Sequence, residues 1–325
     1  MTRTYRVGTR GSALALAQTR LIVGWLEARE SGARFDVVEI VTHGDRFQST
    51  PIAQMGGRVD SGIFNTALEQ AVLSGEVDFA TCSFKDVESD LPDALCAFTA
   101  GPRADPRDVL LSRHGTGLEA LPEGAVLATS SPRRTSQLRR LRRDLKFQPL
   151  RGNVTTRVER DVARFDGVVL AGAGLVRLDL QARVTQWLEP DTLLPAAAQG
   201  ALGCEFLKAR EDLQRMMEGI RDPATELCVQ AEKALLIELS GGCYAPIGVL
   251  ATVEGGRLAI DCRIVSLDGT QVAEGRAQGD AEGPEAAGQI VARLAQDLEA
   301  QGGKRIVDET RKALQADPGE PKSVP

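Results

Sequence analysis

The sequence predicts an α/β protein of two or three domains, and three observations support this. At 325 residues, the chain is too long for one ordinary hydrophobic core. Two consecutive segments each alternate short apolar strand patterns with helical patterns, which is typical of α/β domains. A third segment combines a long helix with an alternating hairpin and a second helix, which indicates a small α+β domain.

In the first segment, the apolar periodicity predicts three strands and two helices. Apolar residues recur three and four positions apart between residues 12 and 30, as on one face of a helix. Pro102 and Pro106 interrupt the pattern and indicate a domain boundary at residues 101–107. The predicted elements are strands at 5–8, 35–41 and 77–82, and helices at 12–30 and 63–73.

The second segment repeats this order of strand, polar turn and helix. A strand at 125–128 runs into Ser131 and Pro132, which mark a helix start because Ser accepts a free backbone N–H and Pro fits the first turn. We expect the matching strand ends of the two segments to face each other across a cleft. The other predicted elements are strands at 146–150 and 167–171 and a helix at 153–165.

The third segment opens with a helix predicted at 223–239, which ends at Ser240-Gly241-Gly242-Cys243. Alternating apolar residues predict a strand at 257–265, and the Asp268-Gly269 turn pairs it with a strand at 271–277. A helix is predicted at 284–301. The end of the chain, residues 315–325, is rich in Pro and charge and is expected to form a flexible tail.

Composition excludes several classes of protein. The net charge of −6 and pI of about 5.3 argue against a nucleic-acid binder. No apolar run approaches the roughly 20 residues that span a bilayer, and the N-terminus lacks the apolar stretch of a signal peptide. We therefore expect a cytoplasmic protein without membrane contact. The sequence shows no exposed apolar repeat, so a monomer is expected.

Cysteine and histidine usage narrows the possible chemistry. Six cysteines lie far apart without a C-x-x-C pair, which argues against a zinc site, any other metal centre or a disulfide framework. His43 and His114 are the two histidines, so a nucleophile activated by histidine has few ways to form. Acid–base chemistry is therefore expected to fall to carboxylates.

Arginines at predicted helix starts form the first candidate site. Helix N-termini offer free N–H groups and partial positive charge, and Arg adds a bidentate fork, so together they suit carboxylates or phosphates. A small anionic ligand is therefore predicted. These arginines are Arg10 before Ser12, Arg133 and Arg134 after Ser131, and Arg151 and Arg157 beside Asn153. Four others, Arg139, Arg140, Arg142 and Arg143, are interpreted as a solvated helix face.

Two further positions leave alternatives open. Lys85 and Asp86 follow the predicted strand at 77–82, where they form either a surface ion pair or part of a site. Cys243 follows two glycines in a turn that lets a ligand approach closely, although most cysteines of this kind are buried and structural.

Taken together, the chain resembles the porphobilinogen deaminase (hydroxymethylbilane synthase) family over nearly its whole length. So many motifs in the same order make the resemblance highly specific. The matching stretches are Thr9-Arg10-Gly11-Ser12, Lys85-Asp86-Val87, Asp105-Pro106-Arg107-Asp108, Thr129-Ser130-Ser131 with Arg133-Arg134, Leu150-Arg151-Gly152-Asn153-Val154, Ala173-Gly174-Leu175, Pro195 with Gln199-Gly200-Ala201, and Gly241-Gly242-Cys243 with Pro246-Ile247-Gly248.

The resemblance implies a three-domain fold. The first two domains are implied to be α/β and similar to periplasmic binding proteins, with a cleft between them. The small α+β domain is implied to carry the cofactor. The implied boundaries are 1–101 plus 201–218 for the first domain, 107–195 for the second and 222–314 for the third.

The resemblance also implies the activity and the site. Porphobilinogen units are joined with loss of ammonia into a linear hydroxymethylbilane, on a dipyrromethane cofactor attached through Cys243. Asp86 is the implied catalytic residue. The other implied cofactor-binding residues are Lys85, Ser131, Arg133 and Arg134; the substrate-binding residues are Arg10, Ser12, Arg151, Asn153, Arg157, Arg177 and Gln199; and the active-site loop includes Gly56, Gly57, Arg58 and Phe64.

Departures from the family pattern motivate two alternatives. Cys82 stands where the family usually has His, Glu88 where it has Pro, and Arg58 where it has Lys. A paralogue that releases a shorter product, such as a tripyrrole, is the first alternative. The second is a non-catalytic protein that binds a carboxylated ligand; retention of Asp86 and Cys243 counts against it.

Overall fold

The computed structural model describes residues 3–30, 32–41, 66–88, 91–240 and 245–316, which form three β-sheets flanked by helices. The strands are β1 (Arg3–Thr9), β2 (Ala33–Glu39), β3 (Phe79–Ser83), β4 (Leu95–Ala100), β5 (Asp108–Ser112), β6 (Val126–Ala128), β7 (Lys146–Gln148), β8 (Gly167–Ala171), β9 (Gln186–Leu188), β10 (Leu202–Leu207), β11 (Ile247–Glu254), β12 (Arg257–Val265) and β13 (Val272–Asp280).

Helices cover the sheets and connect their strands. One of them, α4 at residues 154–164, contains a π-helical stretch at Arg157–Asp161. The others are α1 (Ala13–Arg29), α2 (Thr66–Leu73), α3 (Pro132–Leu141), α5 (Gly172–Val176), α6 (Glu211–Ile220), α7 (Pro223–Glu238), α8 (Pro284–Ala300) and α9 (Gly303–Ala316), with short 3₁₀ turns at Phe84–Asp86, Leu118–Ala120 and Gln181–Arg183.

The first sheet has the order β2-β1-β3-β10-β4. β1 runs parallel to β2 and β3, whereas β10 runs antiparallel to both β3 and β4. One face packs on α1 and α6 through buried residues such as Leu26, Phe79 and Leu213, and the other packs on α2 through Leu68. The chain thus returns to the middle of this sheet after it has completed the second.

The second sheet has the order β7-β6-β8-β5-β9, with β5 antiparallel to its neighbours. Ser131 caps α3, because its Oγ accepts a hydrogen bond from the Arg134 N–H at 3.4 Å, and Pro132 occupies the first turn. The predicted helix start is therefore confirmed. Fully buried Leu110, Leu127 and Leu138 belong to the core beneath it.

The third sheet is antiparallel, with the order β11-β12-β13. The buried apolar face of β12 packs with α7, α8 and α9 in one core. The predicted hairpin is confirmed, since β12 pairs with β13 across the turn that contains Asp268 and Gly269. None of the helices in the described ranges is long and apolar enough to cross a membrane.

The predicted fold class is confirmed: two mixed α/β sheets are followed by a small sheet-and-helix unit. Strands β4, β5, β9, β10 and β11 and helices α5, α6 and α9 were not predicted. The last of these continues through Ala316, so the predicted tail is helical for its first two residues, while residues 317–325 lie outside the described ranges. The domain boundaries remain a prediction.

Two linkers, residues 101–107 and 195–201, run side by side between the first and second sheets. Ala104 N–H donates to the Gly200 carbonyl at 3.2 Å, and Arg103 Nε donates to the Gln199 carbonyl at 2.8 Å. Gly200 has a φ of +93°, and a Cβ there would lie 2.4 Å from the Ala104 carbonyl oxygen. Only glycine permits this close approach of the two linkers.

Candidate active site

The start of α1 and the start of α4 line one pocket, although α1 packs on the first sheet and α4 packs on the second. The lining residues are Ser12, Ala13, Leu14, Asn153, Val154, Thr155, Arg157 and Leu178. The structure thus brings together three of the predicted site residues. Ser12 Oγ also accepts the Ala15 N–H at 3.2 Å and so caps α1. The cleft expected between the strand ends is present at this pocket.

Arg157 places positive charge in the pocket wall. Burial and, to a lesser extent, the nearby charge of Arg134 lower the pKa of Arg157 to about 10, although Asp161 opposes the shift. Its buried Nε has no hydrogen-bond partner among the described residues. A guanidinium that is desolvated, close to another cation and left with a free donor favours an anionic ligand.

Arg133 and Arg134 are held by one buried carboxylate, that of Asp108. Arg133 Nη1 donates to Asp108 Oδ2 at 2.7 Å, and Arg134 Nη2 donates to Asp108 Oδ1 at 2.7 Å. Burial raises the pKa of Asp108, but the charges of the two guanidiniums outweigh it and hold the value at about 2. Two cations and one carboxylate leave one positive charge beside the pocket.

The guanidiniums of Arg133 and Arg134 also donate other hydrogen bonds within the protein. Arg134 Nε donates to Asp108 and its Nη1 donates to the Val169 carbonyl at 3.0 Å, while Arg133 Nη1 also donates to the Leu194 carbonyl at 2.6 Å. The sequence predicted both as cofactor-binding residues, and that role stays a prediction. The partner Asp108 was part of a quoted motif, but no role was predicted for it.

Lys85 and Asp86 lie on the 3₁₀ turn that follows β3. Asp86 is exposed, and Lys85 is partly buried. Burial lowers the pKa of Lys85, Asp86 opposes this, and the charge of Arg134 lowers it again. Arg134 belongs to α3, so the charge of Lys85 on the first sheet interacts with an arginine beside the second sheet.

Arg177 and Gln199 lie at the junction with the linkers. Arg177 Nη2 donates to the Gly200 carbonyl at 2.6 Å, and burial lowers its pKa to about 10. Gln199 is buried, and its Nε2 donates to the Pro106 carbonyl at 2.7 Å and to Asp108 Oδ1 at 3.0 Å. Their predicted contact with substrate remains a prediction.

The other predicted site residues fall into two groups. Arg10 directly follows β1, and Arg151 lies in the connection between β7 and α4, so both occupy strand-to-helix turns. The predicted loop residues Gly56, Gly57, Arg58 and Phe64 and the predicted attachment point Cys243 lie outside the described residues.

The prediction of a solvated helix face formed by Arg139, Arg140, Arg142 and Arg143 was wrong for three of these residues, and the last two lie beyond the end of α3. Arg139 Nη1 donates to the Leu267 carbonyl at 2.6 Å, and Arg140 pairs with Glu274 at 3.3 Å. Arg142 pairs with Asp144 at 2.6 Å. Two of these arginines therefore attach α3 to the third sheet, and Arg143 is the one that is exposed.

Sequence reasoning also missed a buried acid, Glu205, which lies on β10 opposite Ala80 of β3. Cys82 Sγ lies 3.8 Å from Glu205 Oε1, and burial, followed by the charge of Glu69, raises the pKa of Glu205 to about 8. The five cysteines in the described ranges carry free thiols. Among the same residues, no group of His, Cys, Asp and Glu side chains is arranged to hold a metal ion.

Comparison with known proteins matches this chain to two family profiles. The profile for the porphobilinogen deaminase dipyrromethane cofactor-binding domain matches residues 5–215. The profile for the porphobilinogen deaminase C-terminal domain matches residues 226–297. The two matches together span all three sheets.

Proteins similar to this chain are named porphobilinogen deaminase. The chain is 44% identical to a porphobilinogen deaminase of Desulforudis audaxviator over 90% of this chain and 94% of that protein. It is 40% identical to one from Roseiflexus castenholzii over 94% of this chain and 99% of that protein.

Solved structures resemble the chain only remotely. A periplasmic substrate-binding protein of an ABC transporter from Coxiella burnetii aligns with a TM-score of 0.43 and 13% identity, over 68% of this chain and 93% of that one. A likeness this remote adds nothing about function. The identities and the profile matches decide the matter: this chain belongs to the porphobilinogen deaminase family.

Proposed function

We propose that the pocket between the first and second sheets holds the dipyrromethane cofactor and the growing pyrrole chain, with Asp86 as the catalytic carboxylate and Cys243 as the attachment point. As a member of this family, the protein is a transferase that joins porphobilinogen units, with loss of ammonia, into linear hydroxymethylbilane. The observation that supports the proposed site best is the excess positive charge at the pocket.

The described residues fit a ligand of this chemistry. Porphobilinogen carries acetate and propionate groups, and a dipyrromethane built from two such units carries four carboxylates. Arg157 lines the pocket, and Lys85, Arg133 and Arg134 add further cations whose charges act on one another and on Arg157. Asp86, Asp108 and Asp161 offset part of this positive charge. The unpartnered Arg157 Nε offers a ready donor. The carboxylates of such a ligand would therefore match the positive charge of these arginines.

Asp86 performs the central step in this proposal. Loss of ammonia from the aminomethyl arm of porphobilinogen leaves an azafulvene whose positive charge is shared by the pyrrole nitrogen. The Asp86 carboxylate accepts a hydrogen bond from that N–H, stabilises the cation and takes up the proton that is released after C–C bond formation. When bound, the cofactor supplies the pyrrole carbon to which the first unit is joined.

The remaining predicted residues hold carboxylates at successive positions. Arg10 and Ser12 approach from the first sheet, and Arg151, Asn153 and Arg157 approach from the second. Arg177 and Gln199, which contact the linkers, are proposed to bind substrate as well. In the same proposal, Gly56, Gly57, Arg58 and Phe64 belong to the active-site loop.

The relatives lend no support to the alternative of a shorter product, since those reported above all carry the same name. The same holds for a non-catalytic binding protein. We further propose that the enzyme acts in the cytoplasm as a monomer and that it binds no nucleic acid, which agrees with its net charge of −6.

Intact mass under denaturing conditions tests the attachment. We expect the purified enzyme to exceed its sequence mass by two pyrrole units and to show a ladder of further units after a short pulse of porphobilinogen. Cys243→Ser should show the bare sequence mass, and Cys96→Ser, a control at another free thiol, should be loaded normally. A fully loaded Cys243→Ser protein would overturn the attachment point.

A further inference from the structure

Lys233 of α7 contacts the turn that carries Asp86. Its Nζ donates to the Val87 carbonyl at 2.6 Å. Val87 closes that 3₁₀ turn, because its N–H donates to the Phe84 carbonyl at 3.2 Å, and its side chain is buried. A cation from the third unit of the molecule thus binds the end of the catalytic turn.

Phe84 makes a second attachment of the same turn. Its N–H donates to the Ala201 carbonyl at 3.1 Å, and its ring packs with the cluster formed by Ala198, Ala201 and Val229. The ring also lies over Gly203, where a Cβ would approach it to 2.6 Å. Since Val229 belongs to α7, the turn is fixed to this helix by packing as well as by a hydrogen bond.

Helix α7 is itself firmly placed. Glu232, the neighbour of Lys233, is fully buried and accepts hydrogen bonds from the Ala198 N–H at 2.6 Å, the Ala251 N–H at 2.7 Å and Arg103 Nη1 at 2.6 Å. The helix ends at Glu238, a few residues before Cys243 in the sequence. It therefore connects a fixed junction to the segment that contains the attachment point.

We propose that Lys233 is a positioning residue for the coupling step. By holding the Val87 carbonyl, it fixes the turn at Phe84–Asp86 to α7 and so sets where the Asp86 carboxylate stands in the coupling step. The proposal rests on the role proposed above for Asp86. Lys233 acts through the turn and does not contact the reacting atoms.

A competing role for Lys233 is charge compensation. Its charge acts on Glu205 and Cys82 and opposes the rise in their pKa caused by burial. Glu69 and Glu88 face the same carboxyl group with the opposite effect. If Lys233 served only to balance Glu205, the neutral substitution Glu205→Gln would make the lysine dispensable. The two roles are therefore separable in a double variant.

Steady-state kinetics of Lys233→Met test the proposal. We expect kcat to fall about tenfold because a displaced carboxylate is costly to the reaction, while KM for porphobilinogen stays unchanged because the arginines are untouched. Lys233→Arg should restore kcat, since a guanidinium also donates to a carbonyl. Gln230→Ala is the matched control: this residue of α7 is exposed, and its Nε2 donates to Glu226 Oε1 at 2.9 Å within the same helix.

Three results would overturn the proposal: a wild-type kcat in Lys233→Met, a tenfold rise in KM at unchanged kcat, or recovery of kcat in Lys233→Met combined with Glu205→Gln. Should Lys233→Met fail to fold, Lys233→Gln takes its place with the same expected loss. Asp86→Asn is assayed in parallel. Normal turnover in Asp86→Asn would remove the proposed role of Asp86. If Asp86→Asn loses turnover while Lys233→Met keeps a normal kcat, the role of Lys233 alone is overturned.

Discussion

Arg103 Nη1 and Nη2 donate to the two carboxylate oxygens of Glu232, at 2.6 and 3.2 Å. The Glu232 side chain has no exposed surface, and that of Arg103 is 10% exposed. The same carboxylate accepts N–H groups from Ala198 and Ala251. One buried acid thus joins both linkers to α7 and β11.

Glu232→Gln should destabilise the fold by about 3–5 kcal/mol, because it leaves the guanidinium of Arg103 buried without a counter-charge. The free energy of unfolding in urea measures the loss. Glu274→Gln is the control: Glu274 pairs with Arg140 and Arg263 at a half-exposed position and should cost about 0–1 kcal/mol. Equal losses in the two variants would contradict the central role of Glu232.

Asp108→Asn should also be strongly destabilising, by about 3–5 kcal/mol at pH 7, since two buried guanidiniums lose their shared carboxylate. The pKa of Asp108 is lowered in the folded protein, from 3.8 to about 2. Its stabilisation is therefore complete above pH 3.8 and is lost as the pH falls towards 2. Unfolding curves of the two proteins should converge over that range, and a constant difference would contradict the pairing.

Asp86→Asn should retain the fold and the cofactor but lose most turnover. Asp86 is exposed, so we expect the free energy of unfolding to change by less than about 0.5 kcal/mol. The amide can still accept a hydrogen bond but cannot stabilise a cation or take up the released proton. Product formation and intact mass measure both effects. Asp93→Asn, at another exposed acid before β4, should behave as wild type.

Glu205 should make stability fall as the pH rises through neutrality. Burial raises its pKa from 4.5 to about 8, so the native protein keeps a proton that the unfolded chain has released. Between these values the native state binds more protons, and stability drops by up to about 1.4 kcal/mol per pH unit. Glu205→Gln should flatten this part of the curve, whereas Glu218→Gln, exposed on α6, should not. Identical curves for all three proteins would contradict the raised pKa.

The elements predicted from the sequence are those that local chemistry specifies. Ser131 and Pro132 mark the start of α3 through capping, and the turn at Asp268-Gly269 pairs β12 with β13. Both signals act over a few residues, so the sequence carries them whatever the rest of the chain does.

Strand β10 could not be found in this way. It is a short central strand with Gly203, Cys204 and Glu205 in its middle, so it shows neither a clear alternation nor an apolar run. Its neighbours β3 and β4 lie about a hundred residues earlier in the chain, and only the folded sheet brings them together. Tertiary pairing, which a local pattern does not encode, decides this strand.

For the site, the turns that carry arginines could be predicted from the sequence, but the buried carboxylates that bind those arginines could not. Asp108 stands at the start of β5, and nothing in its surroundings in the sequence shows that it faces two arginines of α3. Glu232 did leave a signal: it occupies the apolar stripe of α7, with Cys228, Val229 and Leu235 at three and four positions away. A lone acid on such a stripe requires a buried partner.

The position of β10 between β3 and β4 also bears on how the chain is made. On the ribosome, all five strands of the second sheet, residues 108–188, emerge before β10 does. Until then β4 has no strand to pair with, and β3 presents an open edge of the kind that associates with other chains. The second sheet is therefore able to close first, and the nascent N-terminal half depends on about a hundred later residues for its completion.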